Sequence, residues 1–389
     1  MHGMNLHPLF TAKIVDCFEE QIALSRAAKL DLLAARTVIR AHLRSELPKR
    51  LAAAHVDNPL ARAAIRFITQ GSYAYNLINA PARPPEQQAD LDDGAYIPLT
   101  FCEDTGSPKA VSRLLIEASE RSLTDLARKR GWSVDTKNPN CTRIIISVDK
   151  HVDVPLYSIP DEEFIKITEE RHRLVKGQRA FDAYADSADM DDIWDVMPRR
   201  VRLAHKERGW VDSDPRPVRD WIEVQVKVKS EQLRRLIRYL KAWRDAQIWP
   251  AGDPKSLLIM ALTNAGLEKM IEGRDDLALI AVCRTIPEQL TGRVMIPALP
   301  GEDLAHPLIT AGGAPLFISR ISTLQSVLSE SVRGRYPAPE VCRLLRQQFG
   351  PRFPDRPDRV GVETPEAVVH AVSPRRIPAA PIVGRLQAG

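Results

Sequence analysis

Hydrophobic positions fall into helical register early in the chain. Between about residues 12 and 56, Leu24, Ala27, Ala28, Leu30, Leu33, Ala34, Val38 and Ile39 recur with arginines and lysines between them, which predicts a packing helix that braces the rest. ARAAIRFITQ then runs to Gln70 as a short helix or strand, and GSYAYNLIN reads as a turn opening a helix. PARPPEQQ (81–88) is a loop by its prolines. ADLDDGAYIPLTF (89–101) predicts a strand, a turn at Asp93-Gly94 and more extended chain. Residues 109–132 carry Val111, Leu114, Leu115, Ala118, Leu123 and Leu126 at helical spacing. CTRIIISV and HVDVPLYSI are β-rich runs on either side of Asp149-Lys150, a hairpin signal.

Beyond Pro160 the pattern changes. Residues 161–200 are strongly charged, and irregular or partly helical. SEQLRRLIRYLKAWRDA (230–246) has a helical period opened by Ser230 as N-cap. Further helices are expected over 254–267, 267–290 and 318–349, followed by a tail rich in proline and arginine. The order predicts an α+β protein. N-terminal bracing helices occupy 1–58, a mixed sheet with helices 59–225, a helical C-terminal lobe 226–350 and a flexible tail 351–389. No internal repeat is present.

Composition narrows the class. The chain has 389 residues, 44% of them hydrophobic and 27% charged, as in an ordinary globular enzyme. No apolar run approaches the ~20 residues that span a bilayer, and the first twenty residues meet charge too early for a signal peptide. A cytoplasmic protein without a membrane partner is expected. The five cysteines stand apart, with no CxxC pair, and the nine histidines are scattered with no HxxxH. A zinc site or disulfide framework is therefore not expected, and any metal is expected to be held by oxygens, as suits Mg²⁺ or Mn²⁺. The net charge of +5 is compatible with polyanionic substrates such as nucleotides.

Three aspartates carry the candidate chemistry. Asp90 and Asp92 are two apart on a predicted strand, so their side chains share one face. Two carboxylates there repel unless a cation lies between them. Asp153, in the second arm of the predicted hairpin, joins them if that strand pairs beside the first. Three carboxylates can hold two Mg²⁺ ions about 3.5–4 Å apart, the arrangement used for phosphoryl transfer. Gly71-Ser72 precedes a predicted helix, where backbone amides and a serine hydroxyl suit a phosphate. Asp93 points to the opposite face and is assigned to the Asp-Gly turn.

QGSYAYNLINAP, ADLDDGAYIPL and HVDVPLY, in that order, resemble the nucleotidyltransferase core of the bacterial cGAS/DncV-like enzymes, the CD-NTases. The spacer from Ser72 to Asp90 is longer than in many polymerase-β-like nucleotidyltransferases and agrees with the DncV-like branch. The resemblance runs from about residue 60 to 300. It implies a polymerase-β-like core with a helical C-terminal lobe, catalysis at Asp90, Asp92 and Asp153 with two Mg²⁺ ions (Mn²⁺ able to substitute), and ATP and GTP as substrates. It also implies a cyclic di- or trinucleotide product of the cGAMP type, serving antiphage signalling through a separate effector.

The resemblance assigns further nucleotide contacts. Lys241 and Ser256 match triphosphate-contacting positions; read alone, they are equally a solvated helix lysine and an N-cap. Gln70 and Tyr75 flank the glycine-serine turn, and Tyr75 either stacks on a base or belongs to the core. Arg143 is a candidate contact to base or phosphate, or a solvated strand-edge arginine. Asp214 either accepts from a guanine edge or serves the turn before Pro215. In related systems the synthase C-terminus is joined to targets by an E1/E2-like partner, and Gly389 suits that chemistry or simply ends a disordered tail. Two other readings stand beside the synthase: a non-cyclising nucleotidyltransferase acting on RNA, protein or a small molecule, and an inactive nucleotide-binding scaffold. The absence of a strongly basic tract before the tail argues against an obligate nucleic-acid partner, and the three intact aspartates argue against the scaffold.

Overall fold

The computed structural model describes residues 3–12, 16–54, 65–98, 108–159 and 201–362. The charged segment 161–200, the end of the tail and Gly389 lie outside the described residues. The chain builds β1 (Met4–Asn5), α1 (His7–Phe10), α2 (Phe18–Gln21), α3 (Arg26–Ala54), β2 (Arg66–Gln70), α4 (Gly71–Ala74), β3 (Ala89–Pro98), α5 (Pro108–Arg130), β4 (Ser133–Asp135), β5 (Cys141–Ser147) and β6 (Lys150–Ile159). After the undescribed segment come β7 (Arg202–His205), β8 (Gly209–Asp212), α6 (Arg216–Lys229), α7 (Glu231–Ala246), α8 (Ser256–Gly266), α9 (Asp275–Gln289), α10 (His306–Thr310), α11 (Ala314–Val332), α12 (Ala338–Phe349) and β9 (Gly361–Val362).

Seven strands form one mixed sheet in the order β2-β3-β6-β5-β4, with β7 on β6 and β8 on β7. The β3–β6 pair is parallel, and its neighbours are antiparallel. The expected hairpin about Asp149-Lys150 is present as β5–β6. Period-two alternation divides the sheet cleanly. Ala89, Leu91, Ala95 and Ile97 of β3, and Val152, Val154 and Leu156 of β6, bury against α3 and α5. The opposite face therefore carries Asp90, Asp92 and Tyr96 of β3 and His151, Asp153 and Tyr157 of β6.

The turn expected at Asp93-Gly94 does not form, because β3 passes straight through it. Asp93 is fully buried toward α3. Its carboxylate accepts from Arg40 Nε at 2.7 Å and Nη2 at 2.5 Å, and from Thr69 Oγ1 at 3.2 Å. A buried carboxylate is tolerable when an arginine fork satisfies it. Arg40, remote in sequence, removes the reason for Asp93 to sit in a turn.

The N-terminal segment divides between two cores. Leu32, Ala35, Ile39, Leu43 and Leu47 of α3 pack under the sheet, while Leu30, expected in the apolar stripe, is exposed. Leu6, Leu9, Phe10, Phe18 and Ile22 instead join the helical lobe. There Phe10 and Phe18 pack on Tyr239 of α7 and on Phe349 and Phe353. Residues 351–362, expected to belong to a flexible tail, are instead packed against the lobe: Phe353 is fully buried and β9 pairs with β1. Ser230 caps α7 as expected, accepting from the Gln232 amide. Among the described residues, no helix is long and apolar enough to cross a membrane.

Candidate active site

The strand register sets four side chains in a square on the open face of the sheet. Asp90 lies opposite His151, and Asp92 opposite Asp153, across the parallel β3–β6 pair. Ligand atoms of Asp90, His151 and Asp153 all lie within 4.8 Å of one another. Asp92 completes the square, and burial together with the charges of Asp90 and Asp153 pushes its carboxyl well above the usual range. Asp90 Oδ1 and His151 Nε2 are buried without a hydrogen-bond partner among the described residues. Crowded carboxylates, orphaned buried donor-set atoms and a raised Asp92 fit a divalent cation.

His151 was absent from the expected ligand set. The histidines lack an HxxxH spacing, but the pattern that places this one is His-x-Asp on a strand, which sets both side chains on one face. The structure thus sets an imidazole beside the carboxylates that the sequence singled out.

Gly71 shows why the turn beside the square needs glycine. Its φ is +68°, and a Cβ there would stand 1.8 Å from Asp92 Oδ2. Backbone and carboxylate thus approach as no other residue would permit. The helix expected to follow is a single turn, Gly71–Ala74, with half-buried Ser72 in it. Gln70 ends β2, and its side chain is held by the hydroxyls of two stacked rings. Its amide donates to Tyr157 Oη at 2.8 Å and its oxygen accepts from Tyr96 Oη at 3.2 Å, the rings lying 4.8 Å apart. Gln70 is thus engaged in the wall beneath the turn. Tyr75 takes the core alternative: it is buried, and its hydroxyl donates to the Pro215 carbonyl at 3.3 Å.

Arg143 sits on β5 in register with Asp153. Its Nε and Nη2 each donate at 2.8 Å to the two Asp153 oxygens. Arg143 is therefore paired rather than simply solvated at the strand edge, and it fixes a carboxylate of the square. Lys241 is not a solvated helix lysine. It is buried on α7, and its Nζ donates to the Leu77 carbonyl, just past the glycine-serine turn, at 2.6 Å. Burial lowers its pKa to about 8, Arg244 adding to the effect and Asp245, then more weakly Asp90, opposing it. Ser256 is the first helical residue of α8, with Lys255 in the cap position, and its hydroxyl accepts from Arg244 Nη1 at 3.0 Å. Arg244 therefore lies between Ser256 and the Lys241 region. Asp214 is paired with Arg216, whose Nη2 is 2.6 Å from Oδ2 and whose backbone amide also donates to it, the turn role its place before Pro215 suggested.

Two family models match the chain: the cyclic GMP-AMP synthase DncV-like nucleotidyltransferase domain over residues 65–157, and the cyclic GMP-AMP synthase C-terminal domain over 230–359. A Vibrio cholerae protein named cyclic GMP-AMP synthase is 35% identical over 300 residues, covering 74% of this chain and 67% of its own. A protein of the same name from Escherichia coli is 36% identical over 305 residues, with the same coverage. The crystal structure of Vibrio cholerae DncV cyclic AMP-GMP synthase, described as a prokaryotic cGAS homolog, matches with TM-score 0.72 and 25% identity, covering 93% of this chain and all of that one. A second structure of that synthase, in complex with a linear intermediate 5′ pppA(3′,5′)pG, superposes with TM-score 0.75 at 24% identity over 94% of this chain and all of that one.

Proposed function

The chain belongs to the DncV-like nucleotidyltransferase family, and from that premise we propose that it joins ATP and GTP into a cyclic dinucleotide of the cyclic GMP-AMP type. The observation that carries the reading is the square of Asp90, Asp92, His151 and Asp153 against the Gly71 backbone, in a chain whose relatives are named cyclic GMP-AMP synthases.

Two Mg²⁺ ions, with Mn²⁺ able to substitute, are the proposed cofactors, held by Asp90, Asp92 and Asp153. When bound, such ions neutralise the triphosphate and the charge developing as a 3′-hydroxyl attacks an α-phosphate. The protein's own residues supply the rest. Gly71 leaves the backbone beside Asp92 open to a phosphate, and Ser72 offers the adjoining hydroxyl. Arg143 fixes the rotamer of Asp153, which keeps a ligand oxygen in place without rearrangement. Lys241 presents a buried cation behind the glycine-serine turn, where a triphosphate would restore its full charge. Arg244 positions Ser256 for the same group. The stacked Tyr96 and Tyr157 with Gln70 make a rigid floor under the turn. Asp214 reads a guanine edge only if Arg216 releases it.

Two such transfers, each displacing pyrophosphate, close the ring. ATP and GTP as substrates place the reaction in the cytoplasm, and a cyclic product implies a separate effector that binds it, as in antiphage signalling. Incubating the full chain with labelled ATP, GTP and both together, with Mg²⁺, and resolving products by mass spectrometry tests the reading. A phosphatase-resistant cyclic product containing both bases supports it. Linear products only, or label fixed to a macromolecule, would overturn it.

A further inference from the structure

His151 is 5% exposed and stands in the square opposite Asp90. Its Nδ1 is 3.0 Å from Gln88 Oε1. The orientation of that amide is fixed independently, because Gln88 Nε2 donates to the Val148 carbonyl at 3.2 Å. The oxygen must therefore face the imidazole, and Nδ1 must be the donor. In the neutral ring this leaves Nε2 with its lone pair directed at the carboxylates. Nε2 lies 3.1 Å from Asp90 Oδ1 and 3.8 Å from Asp153 Oδ1. The contact with Asp90 lacks hydrogen-bond alignment, and both buried atoms are without a partner among the described residues. A lone pair facing a carboxylate oxygen is unfavourable unless a cation lies between them.

We propose that His151 Nε2 is a direct ligand of a divalent cation shared with Asp90 and Asp153, and that Gln88 positions the ring by fixing its tautomer. The proposal rests on the reading that this face binds catalytic metal. It makes one position of the site mixed nitrogen and oxygen rather than all oxygen. Imidazole suits first-row transition ions, whereas Mg²⁺ prefers oxygen. The site accordingly favours Mn²⁺ over Mg²⁺, and part of that preference resides in one side chain. The arrangement of a ring nitrogen on the metal with the other hydrogen-bonded to an outer oxygen is the usual way a protein orients such a ligand.

The test uses the untagged full chain with ¹⁵N-labelled histidine and Mn²⁺ alone, without nucleotide, read by pulsed electron paramagnetic resonance. The expected result is a ¹⁵N coupling of a directly bonded imidazole that disappears in His151→Ala and in His151→Gln. The ratio of Mg²⁺ to Mn²⁺ dissociation constants is expected to fall about tenfold in those variants, and Gln88→Leu to weaken Mn²⁺ by roughly the same factor. Mn²⁺ that binds without ¹⁵N coupling, or a coupling unchanged in both variants, would overturn the proposal while leaving the synthase reading intact. Should both variants fail to fold, the coupling in the labelled wild-type chain still decides. A wild-type chain that binds no Mn²⁺ and makes no product overturns both readings.

Discussion

Asp92 and Asp153 lie directly opposite one another on adjacent parallel strands, and among the described residues only Asp153 of the two is paired with an arginine, Arg143. The pair is therefore asymmetric. One carboxylate is anchored, and the other is pushed toward its neutral form by burial and by Asp90 and Asp153. A site built this way is under electrostatic stress without a cation and relieved by one.

The stress has a sign that can be measured. Asp92 has a folded pKa above its unfolded value, so between the two the folded chain binds more protons than the unfolded chain. Stability then falls as pH rises through that window. In EDTA, the melting temperature is expected to decline from mildly acidic toward neutral pH. Excess Mg²⁺ or Mn²⁺ should flatten the decline, and Asp92→Asn should remove it while abolishing turnover. A pH profile identical in wild type and Asp92→Asn would contradict the crowded square.

Gly71→Ala tests the close approach. The added Cβ would collide with Asp92 Oδ2, and the positive φ costs a further ~1–2 kcal/mol for a non-glycine residue. A misplacement of about 1 Å in a reacting group can cost ~100-fold in rate. Turnover is therefore expected to fall by at least that factor, with a smaller loss of stability. Steady-state kinetics beside thermal melts check it, and near-normal turnover would show that the turn can move away from Asp92.

Arg143→Lys separates two roles. Lysine keeps the charge but cannot make the two-pronged contact with Asp153. If Arg143 fixes Asp153, kcat and metal affinity drop together, by roughly 10–100-fold, with KM for nucleotide little changed. A rise in KM alone would return Arg143 to the nucleotide-contact role.

The contrast between Asp92 and Asp93 shows how far the sequence reaches. Alternation alone sends the two to opposite faces, and that is how they fold. What Asp93 does there is decided by Arg40 on a helix 53 positions earlier, and no local pattern encodes such a pairing. The Asp-Gly dipeptide, a turn signal when read locally, is overridden by β2 and β6 pairing on both sides of β3. The same limit explains Phe353, which looks like tail composition but packs on Phe10 and Phe18 from the other end of the chain. The glycine-serine turn, the shared face of Asp90 and Asp92, and the hairpin were legible because each depends on neighbours within a few residues, whereas Asp153 meets the other two only through the pairing of distant segments in β3 and β6. His151 was legible too, through its strand spacing to Asp153, though not through any metal-binding spacing.

Asp93→Ala should therefore behave unlike any member of the square. It strands the Arg40 guanidinium, 13% exposed, with no carboxylate partner, and breaking such a buried pair costs about 3–5 kcal/mol. Denaturant unfolding should show that loss, while turnover per folded molecule at low temperature stays near wild type. A variant that is stable but inactive would place Asp93 in the chemistry instead.

Lys241 offers the complementary case, a group kept at the expense of stability. Its pKa of about 8 in the folded chain lies below the ordinary 10.5. Between those values the unfolded chain binds the extra proton, so stability of the nucleotide-free protein rises with pH across the window and carries the full penalty at pH 7. Lys241→Met has similar length and no charge. It forfeits the hydrogen bond to the Leu77 carbonyl, about 1.5–3 kcal/mol for a charged donor, but removes the buried ammonium. The variant is expected to melt at or above the wild-type temperature at pH 7, to lose the rise in stability above pH 8, and to bind nucleoside triphosphate at least tenfold more weakly. Calorimetry across pH and titration with a non-hydrolysable triphosphate measure the two effects separately. A variant that loses stability at pH 7 and keeps its nucleotide affinity would make Lys241 a structural strut between α7 and the segment after α4, and would remove it from the active site.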